Sequence, residues 1–301
     1  MPKQREVLII GGGISGVAVA YALQKRHIDY TLIEVKPKLG GAIRTVYQNG
    51  YIMDGGNLAH RLAPLEPILA ELGLEQAVYP LDEERIAFAQ GTDMLVQHLA
   101  KKLYGRIIQR MAVTSVGVHP QGTGYAICLE NGLMLSAKRV VVAVSAPYAE
   151  RIFRTLAPDV SEQLLNYEYD PIVRVSLGYF LDDMPSPTMP QVDTIVTDHP
   201  SRVPRGYGLI QVAWRIADAP SALDQVVDTV VTQLGGKPPI ASFAHYWGES
   251  DPHTVTKPEW NPATLEQLLP AGVVLVGNCY RPHDLGERIQ FADHVIQQLF
   301  T

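Results

Sequence analysis

The chain has 301 residues, enough to bury a large core in one domain or two, and its 47% hydrophobic content is that of an ordinary globular protein. A formal net charge of -6 with no run of basic residues gives no electrostatic footprint for nucleic acid or an anionic membrane surface. No apolar stretch reaches the roughly 18 residues of a membrane span, and a strand and glycine loop stand where a signal peptide would need its apolar stretch, so a cytoplasmic chain is expected.

Residues 7–10, Val-Leu-Ile-Ile, are a short apolar run suited to a buried parallel strand, and 15–25 carry the small and apolar residues of a packed helix. Between them Gly11, Gly13 and Gly16 occupy the G-x-G-x-x-G positions. Gly11 permits the tight turn, Gly13 lets a pyrophosphate approach the backbone, and Gly16 lets the helix lie close on the strand. The positive end of that helix offers free N–H groups to phosphates, so Ile14 and Ser15 count with the three glycines as cofactor-binding candidates. Residues 31–34 form a second short strand, and Glu34 at its end is placed to accept hydrogen bonds from ribose hydroxyls, which argues against a 2′-phosphate ligand. A glycine turn alone is weak evidence, because such turns also join strands to helices that bind nothing. Strand, turn, helix, strand and acid in this order point to an ADP-containing cofactor, and a second pair, Gly40-Gly41, tilts the choice toward FAD.

Residues 36–51 read as a glycine-rich polar loop, followed by Asp54-Gly55-Gly56-Asn57. Helical spacing runs over 62–72 and again over 93–103, where Met94, Leu95, Leu99 and Leu103 form a core-facing stripe. From 107 to 118 and from 125 to 135 the pattern changes to short β-like runs broken by Gly122-Thr123-Gly124 and Asn131-Gly132, the latter a hairpin signal. Residues 139–144 suit a buried parallel strand, which returns the chain to the first sheet. Strands are expected over 172–180, 207–214, 241–247 and 273–276, with a proline-rich stretch over 185–204. Helices are expected over 221–234, capped by Ser221, and over 289–300. Cys128 and Cys279 belong to no C-x-x-C pattern and read as small core residues, with neither a zinc site nor a redox dithiol indicated.

Gly11 to Gly16, Glu34, Leu39-Gly40-Gly41-Ala42-Ile43-Arg44-Thr45, Asp54-Gly55-Gly56 and Leu275-Val276-Gly277-Asn278-Cys279-Tyr280-Arg281 together resemble the flavin-containing amine oxidase and protoporphyrinogen oxidase superfamily. The resemblance implies an α/β fold: a doubly wound, Rossmann-like FAD-binding domain over 1–58, 88–168 and 270–301. A smaller, mainly β substrate domain would be inserted over 59–87 and 169–269, with its helical substrate segment shortened. By the same resemblance Gly40, Gly41 and Arg44 lie along the pyrophosphate and ribityl side, and Gly55, Gly56 and Asn57 pass close to the isoalloxazine. Val113 would hold adenine through backbone groups, Gly277 and Asn278 would close over the phosphate and ribityl end, and Leu285 also falls among the cofactor contacts. Plain alternatives stand beside these: Gly55-Gly56 as an ordinary turn, Arg44 as a solvated side chain, Val113 as core. The chain departs from the family after Tyr280-Arg281, where Pro282, His283, Asp284, Leu285, Gly286 and Glu287 replace the usual glycines. An acid near the pyrimidine end would oppose the negative charge that develops there on reduction, unless Asp284 points away.

A flavin enzyme needs few catalytic side chains, and no triad or metal-ligand spacing is evident. His245, His253 and His283 are weak candidates for bases, and Tyr246 and Trp247 for walls beside a substrate, although strand aromatics are more often core. The leading expectation is an FAD-dependent oxidoreductase that removes a hydride from a C–N or C–C bond. A small-molecule substrate and an electron acceptor are its partners, and a partner protein completing the substrate site is also open. The second is a protein that binds FAD without turnover and serves a regulatory or assembly role. An NAD-dependent dehydrogenase fits the first motif alone and leaves Gly40-Gly41, Arg44 and Gly277-Asn278 unexplained.

Overall fold

The computed structural model describes residues 4–186, 193–253, 262–280 and 284–300. In chain order it begins with β1 (Arg5–Ile10), α1 (Ile14–Lys25), β2 (Tyr30–Glu34), β3 (Thr45–Gln48), β4 (Tyr51–Asp54), β5 (His60–Arg61), α2 (Glu66–Leu72), β6 (Val78–Pro80), β7 (Arg85–Phe88) and α3 (Asp93–Lys102). The middle holds β8 (Arg106–Gln109), β9 (Val113–Val118), β10 (Tyr125–Leu129), β11 (Met134–Val142), α4 (Ala146–Leu156), α5 (Pro158–Leu164) and β12 (Glu168–Phe180). The last part holds β13 (Thr194–Thr197), β14 (Tyr207–Arg215), α6 (Leu223–Gln233), β15 (Ala241–His253), α7 (Pro262–Leu268), β16 (Val273–Leu275) and α8 (Leu285–Phe300). Two compact units divide the chain: unit 1 is Met1–Gly41, Val96–Glu168 and Pro252–Thr301, and unit 2 is Ala42–Leu95 and Tyr169–Asp251.

Unit 1 is built on a seven-stranded sheet in the order β8-β2-β1-β11-β10-β9, with β16 also paired to β11. β8, β2, β1, β11 and β16 run parallel, and β9 and β10 are an antiparallel excursion from that core. β11 serves both parts: residues 134–137 pair with β10, while Val140, Val141 and Val142 lie between β1 and β16. With strands on both sides these valines are at most 1% exposed, which is why this stretch reads as a continuous apolar run. α1 is apolar around its circumference because it packs against β1 and β2 on one side and α8 on the other. The Gly122 and Asn131-Gly132 turns fall where β9, β10 and β11 reverse.

Unit 2 is mainly β, as expected. Its four-stranded sheet has the order β13-β14-β12-β15. Val173, Val175, Leu177 and Tyr179 alternate along β12 onto one face, where they meet Val226, Val227 and Val230 of α6. The opposite face carries small and polar residues. There a methyl group on Gly178 would come within 2.5 Å of the Tyr51 ring, and Tyr51 donates to the Tyr179 carbonyl at 3.2 Å. The absence of a side chain at Gly178 is what admits the β3–β4 hairpin. A separate three-stranded sheet, β5-β7-β6, flanks α2 in the sequence.

Several expectations change. Residues 36–51 contain β3, and β3 and β4 form a hairpin across Asn49-Gly50, both at positive φ (51° and 82°). This Asn-Gly pair with apolar flanks is the same signal that was read at Asn131-Gly132. Stretches 42–58 and 88–95 lie in unit 2, where Tyr51 and Asp54 bond to β12 and β14. α6 begins at Leu223 with Ala222 at its N-cap and no side-chain cap bond, so Ser221 lies one residue too early to cap it. The 185–204 stretch includes β13, and α8 starts at Leu285. Cys279 is buried, whereas Cys128 is half-buried on β10. Among the described residues no helix is long and apolar enough to cross a membrane.

Candidate functional site

The glycine turn of unit 1 joins β1 to α1 at the C-terminal end of the parallel strands. Gly11 has φ +105°, a conformation closed to side chains, and a methyl group there would lie 2.5 Å from the Ala143 carbonyl oxygen. A methyl on Gly16 would overlap the Gly11 carbonyl, so these two glycines let α1 sit on the strand. Gly13, the N-cap of α1, is different. Its missing Cβ would meet only the Gly41 Cα, at 3.9 Å, so the space over the first turn is open. Gly40 bridges Gly13 in parallel and its N–H donates to the Gly12 carbonyl at 2.8 Å. The second glycine pair therefore walls the same opening. α1 begins at Ile14, one residue before the expected Ser15.

Glu34 is 6% exposed and accepts two backbone hydrogen bonds, Oε2 from Gly12 N–H at 2.6 Å and Oε1 from Lys36 N–H at 2.7 Å. Each carboxylate oxygen keeps a second lone pair, so the residue braces the turn and retains acceptor capacity for hydroxyl groups. Val113 opens β9 opposite Leu129, beside a register shift between Cys128 and Leu129. An ADP-containing group fits this set: an open glycine face, a helix N-terminus and a buried acceptor at the neighbouring strand end.

The late loop of unit 1 follows β16. Gly277 has φ +133° with no atom of the described residues within 4 Å of its missing Cβ, and Asn278 accepts from Arg288 at 2.7 Å. Tyr280 donates to the Val144 carbonyl at 2.6 Å and packs edge-on to Tyr167. Arg281, Pro282 and His283 lie outside the described residues, as does the side chain of His253. Asp284 and Glu287 make a reciprocal capping box at the start of α8. Asp284 Oδ1 accepts from Glu287 N–H at 2.9 Å, and Glu287 Oε2 accepts from Asp284 N–H at 3.3 Å. Asp284 is thus engaged with the helix end, and Leu285, the first residue of α8, is buried.

In unit 2 the Asp54-Gly55-Gly56-Asn57 segment is pinned by a polar cluster. Asp54 is 1% exposed. Its Oδ1 accepts from Thr45 Oγ1 at 2.6 Å and Thr92 N–H at 3.0 Å, and its Oδ2 from Arg202 Nη2 at 2.5 Å. Arg202, 0% exposed, also donates to the Ile52 carbonyl at 2.9 Å. Gln211 donates to the Asp54 carbonyl and accepts from Leu58 N–H, each at 2.8 Å, which clamps the segment at both ends. Nearby, burial raises the Tyr79 pKa, while its hydrogen bond with Thr197 acts the other way. A methyl on Gly55 would meet the His245 ring at 2.9 Å, whereas Gly56 has no atom of the described residues within 4 Å of its missing Cβ.

His245 Nδ1 lies 3.1 Å from the Gly55 carbonyl oxygen. A carbonyl only accepts, so the neutral ring carries its proton on Nδ1 and Nε2 is the basic nitrogen. The Arg44 guanidinium stands 5.7 Å from the Phe243 ring centre, and the Arg44 carbonyl accepts from Gly55 N–H at 2.7 Å. Tyr246 packs on the α6-facing core, and Trp247 is half-buried on β15. Thr92, Arg202 and Gln211 were not among the sequence candidates. Gln211 left a trace, as a lone polar residue in the apolar run of β14, but nothing local marked Arg202.

Residues 9–72 match an NAD(P)-binding Rossmann-like domain, and 77–254, more than half of the chain, match the flavin containing amine oxidoreductase family. The chain is 36% identical over 86 residues to protoporphyrinogen oxidase 2 of Arabidopsis thaliana, a match covering 27% of this chain but 16% of that protein. Among solved structures it resembles putrescine oxidase bound to putrescine, with TM-score 0.75, 14% identity and 99% of each chain covered. It also resembles a fatty acid isomerase from P. acnes that produces CLA, with TM-score 0.72, 12% identity and full coverage of both chains. At those identities the structural likenesses speak for the fold alone. The chain belongs to the flavin-containing amine oxidoreductase family.

Proposed function

We propose that the protein is an FAD-dependent oxidoreductase acting on a C–N or C–C bond of a small-molecule substrate. The observation that carries this reading is the open Gly13 face, walled by Gly40 and Gly41 and backed by Glu34. When bound, FAD supplies two-electron acceptance, with hydride transfer to its N5. The chain's own part is binding and orientation. The first-turn N–H groups of Ile14, Ser15 and Gly16 would hold phosphate oxygens, and Glu34 the ribose hydroxyls. Val113 would meet adenine, and Gly277, Asn278 and Leu285 the phosphate and ribityl end. In unit 2, Arg44, Gly55, Gly56 and Asn57 are assigned to the cofactor by family likeness. His245 and Trp247 are assigned to the substrate, with His245 Nε2 as the proton acceptor.

The absorption spectrum of the purified protein, with the chromophore released by heat and identified by chromatography, tests the cofactor. FAD is expected; colourless protein that cannot be reconstituted with FAD would overturn the reading. Anaerobic bleaching by a panel of amines tests turnover. One observation favours a second reading, FAD binding without turnover: residues 59–87 hold one seven-residue helix and three short strands, little material for a substrate enclosure. A flavin-loaded protein that no candidate reductant bleaches would select it.

A further inference from the structure

The first turn of α8 carries a cation, Arg288, beside the first turn of α1. Arg288 is half-buried and lines, with Ser15, Val19 and Gly277, a cavity of about 10 Å³, room for a single water. Ser15 belongs to the first turn of α1, and Gly277 follows β16. β1 and β16 both run parallel to β11, so Arg288 lies at the same end of the sheet as the glycine turn. Its Nη2 donates to Asn278 Oδ1 at 2.7 Å. A guanidinium only donates, so the Asn278 carbonyl faces Arg288 and its amide NH₂ group is turned the other way.

Charge makes this arrangement informative. Burial depresses the Arg288 pKa, against the opposing pull of Cys279 and Asp284. The Asp284 carboxylate is also engaged as the cap of α8. A pyrophosphate carries two negative charges, whereas a helix N-terminus offers the equivalent of about half a positive one. Among the described residues of unit 1, Lys36 is a further cation near the glycine turn, its Nζ 3.4 Å from the Gly41 carbonyl, but it is exposed and screened by salt. Arginine stays protonated, and its planar fork matches phosphate oxygens.

We propose that Arg288, which lies beside the first turn of α1, is a phosphate-binding residue that, with the N-terminus of that helix, neutralises the pyrophosphate of the dinucleotide cofactor. This deepens the FAD reading and rests on it. The test is titration of the apoprotein with FAD, ADP and adenosine, for the wild type and for Arg288→Met, Arg288→Gln and Arg288→Lys. Gln keeps a donor for Asn278, so a folded neutral variant is available even where Met fails to fold. The neutral variants are expected to bind FAD and ADP about tenfold to a hundredfold more weakly, with adenosine unchanged. Lys, which keeps the charge but not the planar fork, is expected to fall between wild type and the neutral variants. A folded neutral variant with wild-type affinity for FAD and ADP overturns the proposal, as does a Lys variant as weak as the neutral ones. Wild-type protein that binds no FAD refutes the cofactor reading itself and is read from the first titration.

Discussion

Arg202 and Asp54 meet at 2.5 Å in unit 2 with both side chains withdrawn from water, 0% and 1% exposed. They are 148 positions apart, so the pair ties the end of β4 to the segment before β14. A buried ion pair adds little net stability over a well-packed apolar pair, but breaking it strands one charge in a medium that cannot solvate it. Its effect here is positional: with Thr45, Thr92 and Gln211 it fixes where Gly55 and Gly56 begin.

Asp54→Ala and Arg202→Met are each expected to lower unfolding free energy by about 3–5 kcal/mol in urea denaturation. The double variant removes both charges and should recover part of that loss. Singles that cost under about 1 kcal/mol would contradict the assignment of a desolvated, mutually dependent pair.

Two glycines of one turn should fail in different ways. Gly16→Ala drives a methyl into the Gly11 carbonyl and should cost the apoprotein about 1–3 kcal/mol, as overpacking does. Gly13→Ala meets only the Gly41 Cα at 3.9 Å and should leave the apoprotein within about 0.5 kcal/mol of wild type. It should nonetheless weaken FAD binding about tenfold or more, because the methyl would stand where the proposed site admits a pyrophosphate. Denaturation and FAD titration of both variants check this; a Gly13→Ala protein with undiminished affinity refutes it.

The legibility of the fold follows the range of its determinants. The Gly11–Gly16 turn and the acid at Glu34 are readable because a strand, a turn and a helix signal themselves within one short stretch. The β3–β4 hairpin was as local, yet the glycines around it masked its Asn49-Gly50 turn as loop. Asp284-Leu285-Gly286-Glu287 carries a capping box that was read only as a displaced acid. Arg202 is of another kind. It lies in a proline-rich stretch without periodicity, and its partner is remote in sequence, so no local pattern marks it as buried. Unit boundaries at Gly41 and Val96 likewise depend on long-range hydrogen bonds and not on composition.

Acid should unfold unit 1 partly through Glu150. Its side chain is buried, and hydrogen bonds from Arg154, first, and Ser161 hold its pKa below the usual 4.5. A depressed folded pKa contributes stability above the unfolded value, and that contribution disappears as pH falls through the folded one. Stability is therefore expected to fall below pH about 4.5, and Glu150→Gln should flatten that limb and leave its neutral-pH baseline displaced downward. Arg154 is largely exposed, so added salt should weaken the effect. Equal acid slopes for variant and wild type would exclude Glu150 as a source.

Asp284 separates a structural role from an electrostatic one. Its carboxylate accepts from Glu287 N–H at 2.9 Å, which satisfies a donor at the start of α8 that would otherwise lack a helical partner. Alanine removes that acceptor and should cost about 1 kcal/mol, whereas asparagine caps as well as aspartate and should cost only a few tenths. The pair also tests whether this acid bears on a bound flavin. With the carboxylate turned into the helix end, Asp284→Asn should leave the reduction potential of the FAD-loaded protein where the wild type has it. A rise in potential on removing the charge would mean that the acid faces the cofactor, since a nearby negative charge disfavours the reduced, anionic form.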